Sequence, residues 1–427
     1  MDKVDRNRLE EFRQLRQEVR HSEEYLIVGI DIAKERHHAF FGTATGKTLL
    51  RRLVFSNDYE GFRKLLDQAE ALRVRHGLKK VVYGMEPTAN YHKPLGEYLI
   101  ILGRTVVLVS GVTVKRNRES LDGRWDKHDV KDSANVADLI SQGKCLYYEH
   151  PSAELRGLRG LLSLKRRLKK QEHGYRVRIR NHLIAQYFPE MDRDYERLGA
   201  AGLSIVRWCL PASQITELDV EPFIQRVTSR RIRVETRRRL EGVWEKAGAS
   251  IGCEGVPGVD HEAKVMVEGL GQIREMIKET EDKIEELCEQ FPEYHSVLTI
   301  PGFGPDVSAK VLGALGGPDR FQNGKQVLKL AGLDLSADRS GKDSDKAIPQ
   351  ISKRGKADLR YALYQAALIA STKNQDFMRY YTRKLEGRER EKGIQTKMWV
   401  KLSAKMLLIA WTLMKKKEKF DPAYLNA

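Results

Sequence analysis

The sequence predicts an α/β domain over residues 24–147, a helical middle over 148–292 and a mainly α C-terminal domain over 293–415. Two observations point to the first. Short β-type runs precede any helix, and apolar strands then alternate with helical stretches, the pattern of a mixed sheet covered by helices. Four carboxylates, Asp31, Glu86, Asp129 and Asp132, fall at strand ends or on one helix face within that pattern.

Residues 26–31 form a continuous apolar run closed by Asp31, which reads as a buried strand. Residues 36–42 and 48–55 follow after short Gly- or Lys-containing turns, giving a three-stranded meander. Asn57, with Glu60 three residues on, has the spacing of a capping box and is expected to start a helix running to about residue 75. Residues 78–85 make the next strand, which Glu86 closes. A helix over 91–102 and a strand over 104–109 come next, then a last helix carrying Asp122, Asp126, Asp129, Asp132 and Asp138. The order βββ-α-β-α-β-α is that of a ribonuclease-H-like domain, whose first and fourth strands are neighbours, so Asp31 and Glu86 are expected side by side. Asp126, Asp129 and Asp132 share one helix face, and the spacing fits the pair 126/129 as well as 129/132. In isolation such a helix is ordinarily a solvated acidic face beside Arg124, Lys127 and Lys131. Two strand-end acids in the right order change that reading. Carboxylates gathered at one point raise one another's pKa unless a cation neutralises them. Hard oxygen donors without cysteine select Mg²⁺ or Mn²⁺, and two such ions clamp the attacking and leaving oxygens of a phosphodiester.

Composition agrees with a polyanionic partner. The 427 residues carry 76 Lys and Arg against 59 acids, a formal charge of +17. That sign favours nucleic acid. A membrane role is disfavoured, because the late apolar stretch from Met406 to Met414 is short and flanked by lysines. The first twenty residues are charged throughout and lack a signal-peptide core. The four scattered cysteines fit a reducing cytoplasm and argue against zinc.

Between Ser163 and Leu183 stand eight basic residues and one Glu, among them Lys165, Arg166, Arg167, Arg176, Arg178 and Arg180. Between Arg226 and Arg239 stand seven arginines and one Glu, ending in Arg237, Arg238 and Arg239. Both stretches read as helical, as does 264–290, and a coiled-coil arm or helical hairpin is expected. Taken with the net charge, the clusters are candidate phosphate contacts. In the C-terminal domain, Ile300-Pro301-Gly302-Phe303-Gly304-Pro305 ahead of a helix near Asp306 has the pattern of a helix-hairpin-helix turn. There Gly302 and Gly304 would let backbone amides approach a phosphate. Residues 321–330 are expected to be helical, closed by Ala331-Gly332-Leu333, and a basic amphipathic helix is expected over about 397–417.

Three blocks, Gly29-Ile30-Asp31-Ile32-Ala33-Lys34, Met85-Glu86-Pro87-Thr88 and Lys127-His128-Asp129-Val130-Lys131-Asp132-Ser133-Ala134, resemble those of the DEDD transposases of the "one-ten" insertion-sequence family, related to the Piv-type DNA invertases. Ala89 and His128 depart from the family's usual Gly and Thr. The resemblance selects Asp129 and Asp132 as the pair and implies a RuvC-like N-terminal domain. Further on, Ala331-Gly332-Leu333, Ser340-Gly341, Ile351-Ser352-Lys353-Arg354-Gly355 and Leu359-Arg360-Tyr361-Ala362-Leu363-Tyr364 resemble the second domain of the same transposases. There the serine of the Ser-Gly pair is the nucleophile, which implies that role for Ser340, with Lys353 and Arg354 as nucleic-acid contacts. Ser336, Ser344 and Ser352 are near competitors on sequence alone. The resemblance also implies a covalent serine–DNA link, a structured non-coding guide RNA and a dimer or tetramer. A metal-dependent nuclease or junction resolvase that uses water is the competing expectation. A non-catalytic nucleic-acid-binding protein is a third, against which the intact acid set argues.

Overall fold

A computed structural model describes residues 3–122, 129–228, 232–336 and 350–426. The chain divides into two compact units, Met1–Ser152 with Gly317–Gln322, and Ala153–Gly316 with Asn323–Ala427.

The first unit is built on a six-stranded mixed sheet of order β3-β2-β1-β4-β5-β6. Its strands are β1 (Tyr25–Asp31), β2 (Arg36–Thr43), β3 (Thr48–Ser56), β4 (Lys80–Met85), β5 (Thr105–Leu108) and β6 (Leu146–Tyr147). β1 pairs parallel with β4, as the element order anticipated, and β4 pairs parallel with β5. The remaining pairs are antiparallel. Strand side chains alternate between two apolar layers. Leu26, Val28 and Ile30 pack with Phe62, Leu65 and Ala69 of α2 (Tyr59–Arg75) and with Leu95 and Leu99 of α3 (His92–Ile101). Ile27, Val82 and Val107 pack on the opposite face. Their partners there are Leu15 of α1 (Lys3–Glu18), Val114 of α4 (Gly111–Asp122), and Val136, Ala137 and Ile140 of α5 (Asp129–Ser141).

Two local expectations are corrected, and two elements were not anticipated. The cap of α2 is Asp58, whose Oδ1 accepts from Gly61 N at 2.8 Å; Asn57 instead donates to the Lys34 carbonyl at 3.0 Å. The acid-bearing stretch forms two helices, α4 and α5, and Asp126 between them lies outside the described residues. The charged N-terminus forms α1, held by Arg16 and Arg20, which donate to the Gly143 and Gln142 carbonyls beyond the end of α5. Strand β6 was also not anticipated.

In the second unit the helices Ala153–Arg178 and Val259–Cys288 lie antiparallel. Gly157 faces Leu287 at one end and Gly269 faces Tyr175 at the other. This is the expected hairpin, with the chain from 185 to 258 returning between its arms. That segment packs Phe188, Ile205, Phe223, Leu240 and Val243 into one core with Ala263 and Leu270 of the second arm. The basic stretch 226–239 is divided between the helices Val220–Val227 and Val234–Ala247. Towards the C-terminus the helix Ala357–Lys373 contributes buried Leu363 and Ala366, and Ile394–Lys416 contributes buried Met406 and Leu407. The helix expected over 321–330 runs Gly324–Ala331, capped by Asn323, and Phe321 belongs to the first unit.

Candidate active site

Two glycines set the site. A Cβ on Gly29 would lie 2.2 Å from the Ser133 carbonyl oxygen, and one on Gly84 would lie 2.1 Å from Ile140 Cδ1. α5 therefore sits directly on β1 and β4 at a distance only glycine permits. Asp31 is two residues beyond Gly29 and Glu86 two beyond Gly84, so strand alternation puts both carboxylates on the α5 side of the sheet. Ile30 pairs with Met85 in the ladder, which brings the two acids to the ends of adjacent strands. Glu86 also abuts α4: a Cβ on Gly111 would lie 2.6 Å from its Oε1.

Asp132 lies on the buried side of α5 with Val136 and Ile140 and is 3% exposed. Its Oδ1 is 2.6 Å from Arg118 Nη2 of α4, yet accepts no hydrogen bond, and Arg118 Nε is likewise buried without one. A polar chain holds α4 on α5. Asn117 donates to Asn135 Oδ1 at 2.7 Å and to Asp138 Oδ2 at 2.8 Å, and Asn135 donates to the Val114 carbonyl at 2.8 Å. Asp129 begins α5, and its side chain lies outside the described residues. Among the described residues no three His, Cys, Asp or Glu side chains are gathered closely enough to hold a metal ion. The donor chemistry nevertheless suits one, because Asp132 Oδ1 is a solvent-excluded carboxylate oxygen with a lone pair uncommitted to any hydrogen bond.

Residues 28–189 match a family model described as "Transposase", of the DEDD type, and residues 294–382 match one described as "Transposase IS116/IS110/IS902 family"; together they span more than half the chain. The chain belongs to the IS110 family of transposases. It is 24% identical to the insertion element IS116 uncharacterized 44.8 kDa protein of Streptomyces clavuligerus, over 93% of this chain and 96% of that one. It is 22% identical to the insertion element IS900 uncharacterized 42 kDa protein of Mycobacterium paratuberculosis (93% and 98%). It is 21% identical to the pilin gene-inverting protein of Moraxella bovis (92% and 97%). The protein is accordingly a DNA transposase or recombinase, the class its sequence motifs implied.

Two further residues lie beside the candidate acids of this transposase without a signal in the sequence. His38 stands opposite Asp31 in the β1–β2 register and on the same sheet face, whereas His37 points to the other face. His37 packs by Phe55 and Phe62, accepts from Ala33 N at 3.2 Å, and has its pKa lowered by burial. Arg118 is the second. No spacing ties it to Asp132; only the packing of α4 on α5 does.

Ser340 lies outside the described residues, as do Arg339, Lys342 and Ser344. The residues on either side of the segment 337–349 are paired, Leu335 with Ile351 and Ser336 with Gln350. Below them the family-like motifs interlock. Gly332 adopts φ +67°, a Cβ on Gly355 would lie 2.4 Å from Gly332 N, and Arg360 donates to the Ala331 carbonyl at 2.9 Å. Ser352 donates to Asp334 at 2.5 Å, which ties it into this base.

The candidate nucleic-acid residues divide by partner. Lys165 is 12% exposed and bridges Asp306 at 2.6 Å and Glu281 at 2.8 Å. Burial opposes its charge, but those two hydrogen bonds prevail and raise its pKa. Burial likewise opposes the Asp306 carboxylate, and hydrogen bonds from Lys165 and Lys310 prevail to lower its pKa. Arg166 pairs with Asp358, Arg176 with Glu196, Arg178 with Glu262, and Arg180 with Asp192. Arg237 pairs with Glu221 and Glu241, and Arg239 with Glu235. Arg167, Arg238, Lys353 and Arg354 are exposed and make no ion pair among the described residues. Gly302, at φ +86°, is dictated by packing, since a Cβ there would lie 2.5 Å from the Ala366 carbonyl oxygen. Gly304 is open and exposed, at the start of the helix Pro305–Leu315.

Proposed function

We propose that this transposase cuts and rejoins DNA at a centre made of two parts. Asp31, Glu86, Asp129 and Asp132 hold Mg²⁺ or Mn²⁺, and Ser340 is the nucleophile. What most supports the first part is that Asp31 and Glu86 end adjacent strands on the sheet face covered by α5, the helix that carries the buried Asp132. A divalent ion bound there would polarise the phosphate and ease departure of the leaving oxygen. Ser340 Oγ forms an ester to phosphorus, one phosphorus–oxygen bond of the DNA breaks, and the serine proton ends on the departing deoxyribose oxygen. The bond energy is conserved in the ester, so a second DNA hydroxyl can reverse the step and rejoin strands without an external energy source. Serine needs activation for this attack, and Arg339 and Lys342 are the nearest cations in sequence to stabilise the transition state.

The partners in this reading are donor and target DNA, a structured non-coding RNA that pairs with both, and further copies of the chain in a dimer or tetramer. The unpaired surface cations, Arg167, Arg238, Lys353 and Arg354, supply phosphate contacts. No described helix is long and apolar enough to cross a membrane.

Denaturing electrophoresis with labelled DNA and the required RNA tests the nucleophile. A protein–DNA adduct that disappears in Ser340→Ala is expected. Free ends made equally well by wild type and Ser340→Ala would overturn the serine and favour a water-using nuclease. Loss of the adduct in Ser336→Ala or Ser344→Ala, with Ser340→Ala active, would assign the role to another serine.

A further inference from the structure

Asp132 presents a charge problem that the acids do not solve among themselves. Its side chain is 4% exposed, and a carboxylate removed from water to that degree requires a compensating positive charge. Arg118 supplies it from α4 at 2.6 Å, with its own side chain 18% exposed. The two groups are close without being aligned. Oδ1 accepts no hydrogen bond and Arg118 Nε donates none, so the paired, two-bond geometry of a strong arginine–carboxylate contact is not formed. The guanidinium balances charge there but leaves the lone pair of Oδ1 uncommitted.

We propose that Arg118 is the resident counter-ion of the acidic site, standing at Asp132 where a divalent ion is to be bound, and that it must swing away as the ion arrives. The inference rests on the proposed metal role of the acids. Two positive groups cannot share one carboxylate oxygen at contact distance without strong repulsion. α4 can release the arginine without itself moving, because Asn117, one residue away, holds the helix through Asn135 and Asp138. Arg118 is thus a positioning residue. It stands against a buried carboxylate before the ion is present, and every ion bound must displace it.

Mn²⁺ binding to the full chain, read by the electron paramagnetic resonance of the free ion, tests this without any DNA reaction. Arg118→Gln removes the competitor, so its Mn²⁺ affinity is expected to rise roughly tenfold or more, and Arg118→Lys is expected to stay near wild type. In chelator, Arg118→Gln is expected to melt below wild type, and Mn²⁺ to restore more of its melting temperature than it adds to wild type. Equal or weaker Mn²⁺ binding by Arg118→Gln, with wild-type binding intact and lost in Glu86→Gln, overturns the displacement while sparing the metal site. No binding by either wild type or Arg118→Gln overturns both. A second measurement does not depend on the variant's folding. In side-chain NMR of arginine-labelled wild type, the Arg118 guanidinium, assigned through Arg118→Lys, is expected to move to a solvent-exchanging position as Mg²⁺ is added. A signal unchanged at saturating Mg²⁺ overturns the proposal.

Discussion

At the scale of single residues, a cation's worth depends on what already neutralises it. Lys165 belongs to a cluster of eight basic residues, yet it is enclosed by Asp306 and Glu281 and joins three helices of the second unit. Lys165→Gln is therefore expected to cost stability, on the order of 1–3 kcal/mol, below the usual cost of breaking a fully buried pair because both acids are more than 40% exposed. Urea denaturation would measure it. The lowered pKa of Asp306 places its contribution above the ordinary 3.8, to be lost as pH falls through the folded value. The raised pKa of Lys165 keeps its contribution below the ordinary 10.5, to be lost as pH rises through the folded value. The stability difference between wild type and Lys165→Gln should thus be flat from about pH 5 to 10 and shrink in acid below that window. Arg238 has no such partner among the described residues. Arg238→Gln should reduce the slope of log affinity for DNA against log salt by about one, whereas Arg237→Gln, already paired twice, should leave it nearly unchanged. Equal slopes for the two variants would remove Arg238 from the interface. Within the acidic site, Glu86→Gln and Asp129→Asn are each expected to abolish cleavage while DNA binding persists; full activity of either in Mg²⁺ would refute the metal reading.

At the scale of elements, the site is a matter of how close a helix can come to a sheet. Gly29→Ala would put a methyl group against the Ser133 carbonyl, which is backbone and cannot turn aside. α5 would have to lift, at a cost of roughly 1–3 kcal/mol, taking Asp132 away from Asp31 and Glu86. The variant should melt lower and lose cleavage together; wild-type cleavage would mean the close approach is dispensable. Here the sequence was most legible. The apolar runs before Asp31 and Glu86 mark buried strands, and order alone makes β1 and β4 neighbours. Other features were hidden for physical reasons. Among its described side chains α1 buries Leu9 and Leu15 amid many charges, too thin a stripe to stand out. β6 is two residues long and defined by its partner. The cap fell one residue from the expected position because both Asn57 and Asp58 are good capping types. His38 and Arg118 come beside the candidate acids through register and helix packing, which no spacing in one strand or helix encodes.

At the scale of the whole molecule, charge was legible and its distribution was not. The excess of +17 fits a protein that handles nucleic acid, and affinity is expected to fall by roughly 10³–10⁵ between about 50 and 200 mM salt if six to ten phosphates are contacted. A flat response would show that the surface cations serve solubility instead. Sequence could not say that many of the arginines spend their charge on neighbouring acids, because partners such as Arg207 and Glu268 lie far apart along the chain. Nor could composition anticipate that Gly317–Gln322 return to the first unit, where Arg320 pairs with Glu149 at 2.6 Å and Asp319 with Arg6 at 3.1 Å. The polypeptide therefore passes from one unit to the other three times. One cut anywhere between 152 and 317 leaves the six-residue stitch in place, still continuous with everything after it, so a nicked protein should remain a single species on a sizing column. Parting the units takes cuts on both sides of the stitch as well as one near 152, and a first unit expressed as residues 1–152 alone would lack a piece of its own fold.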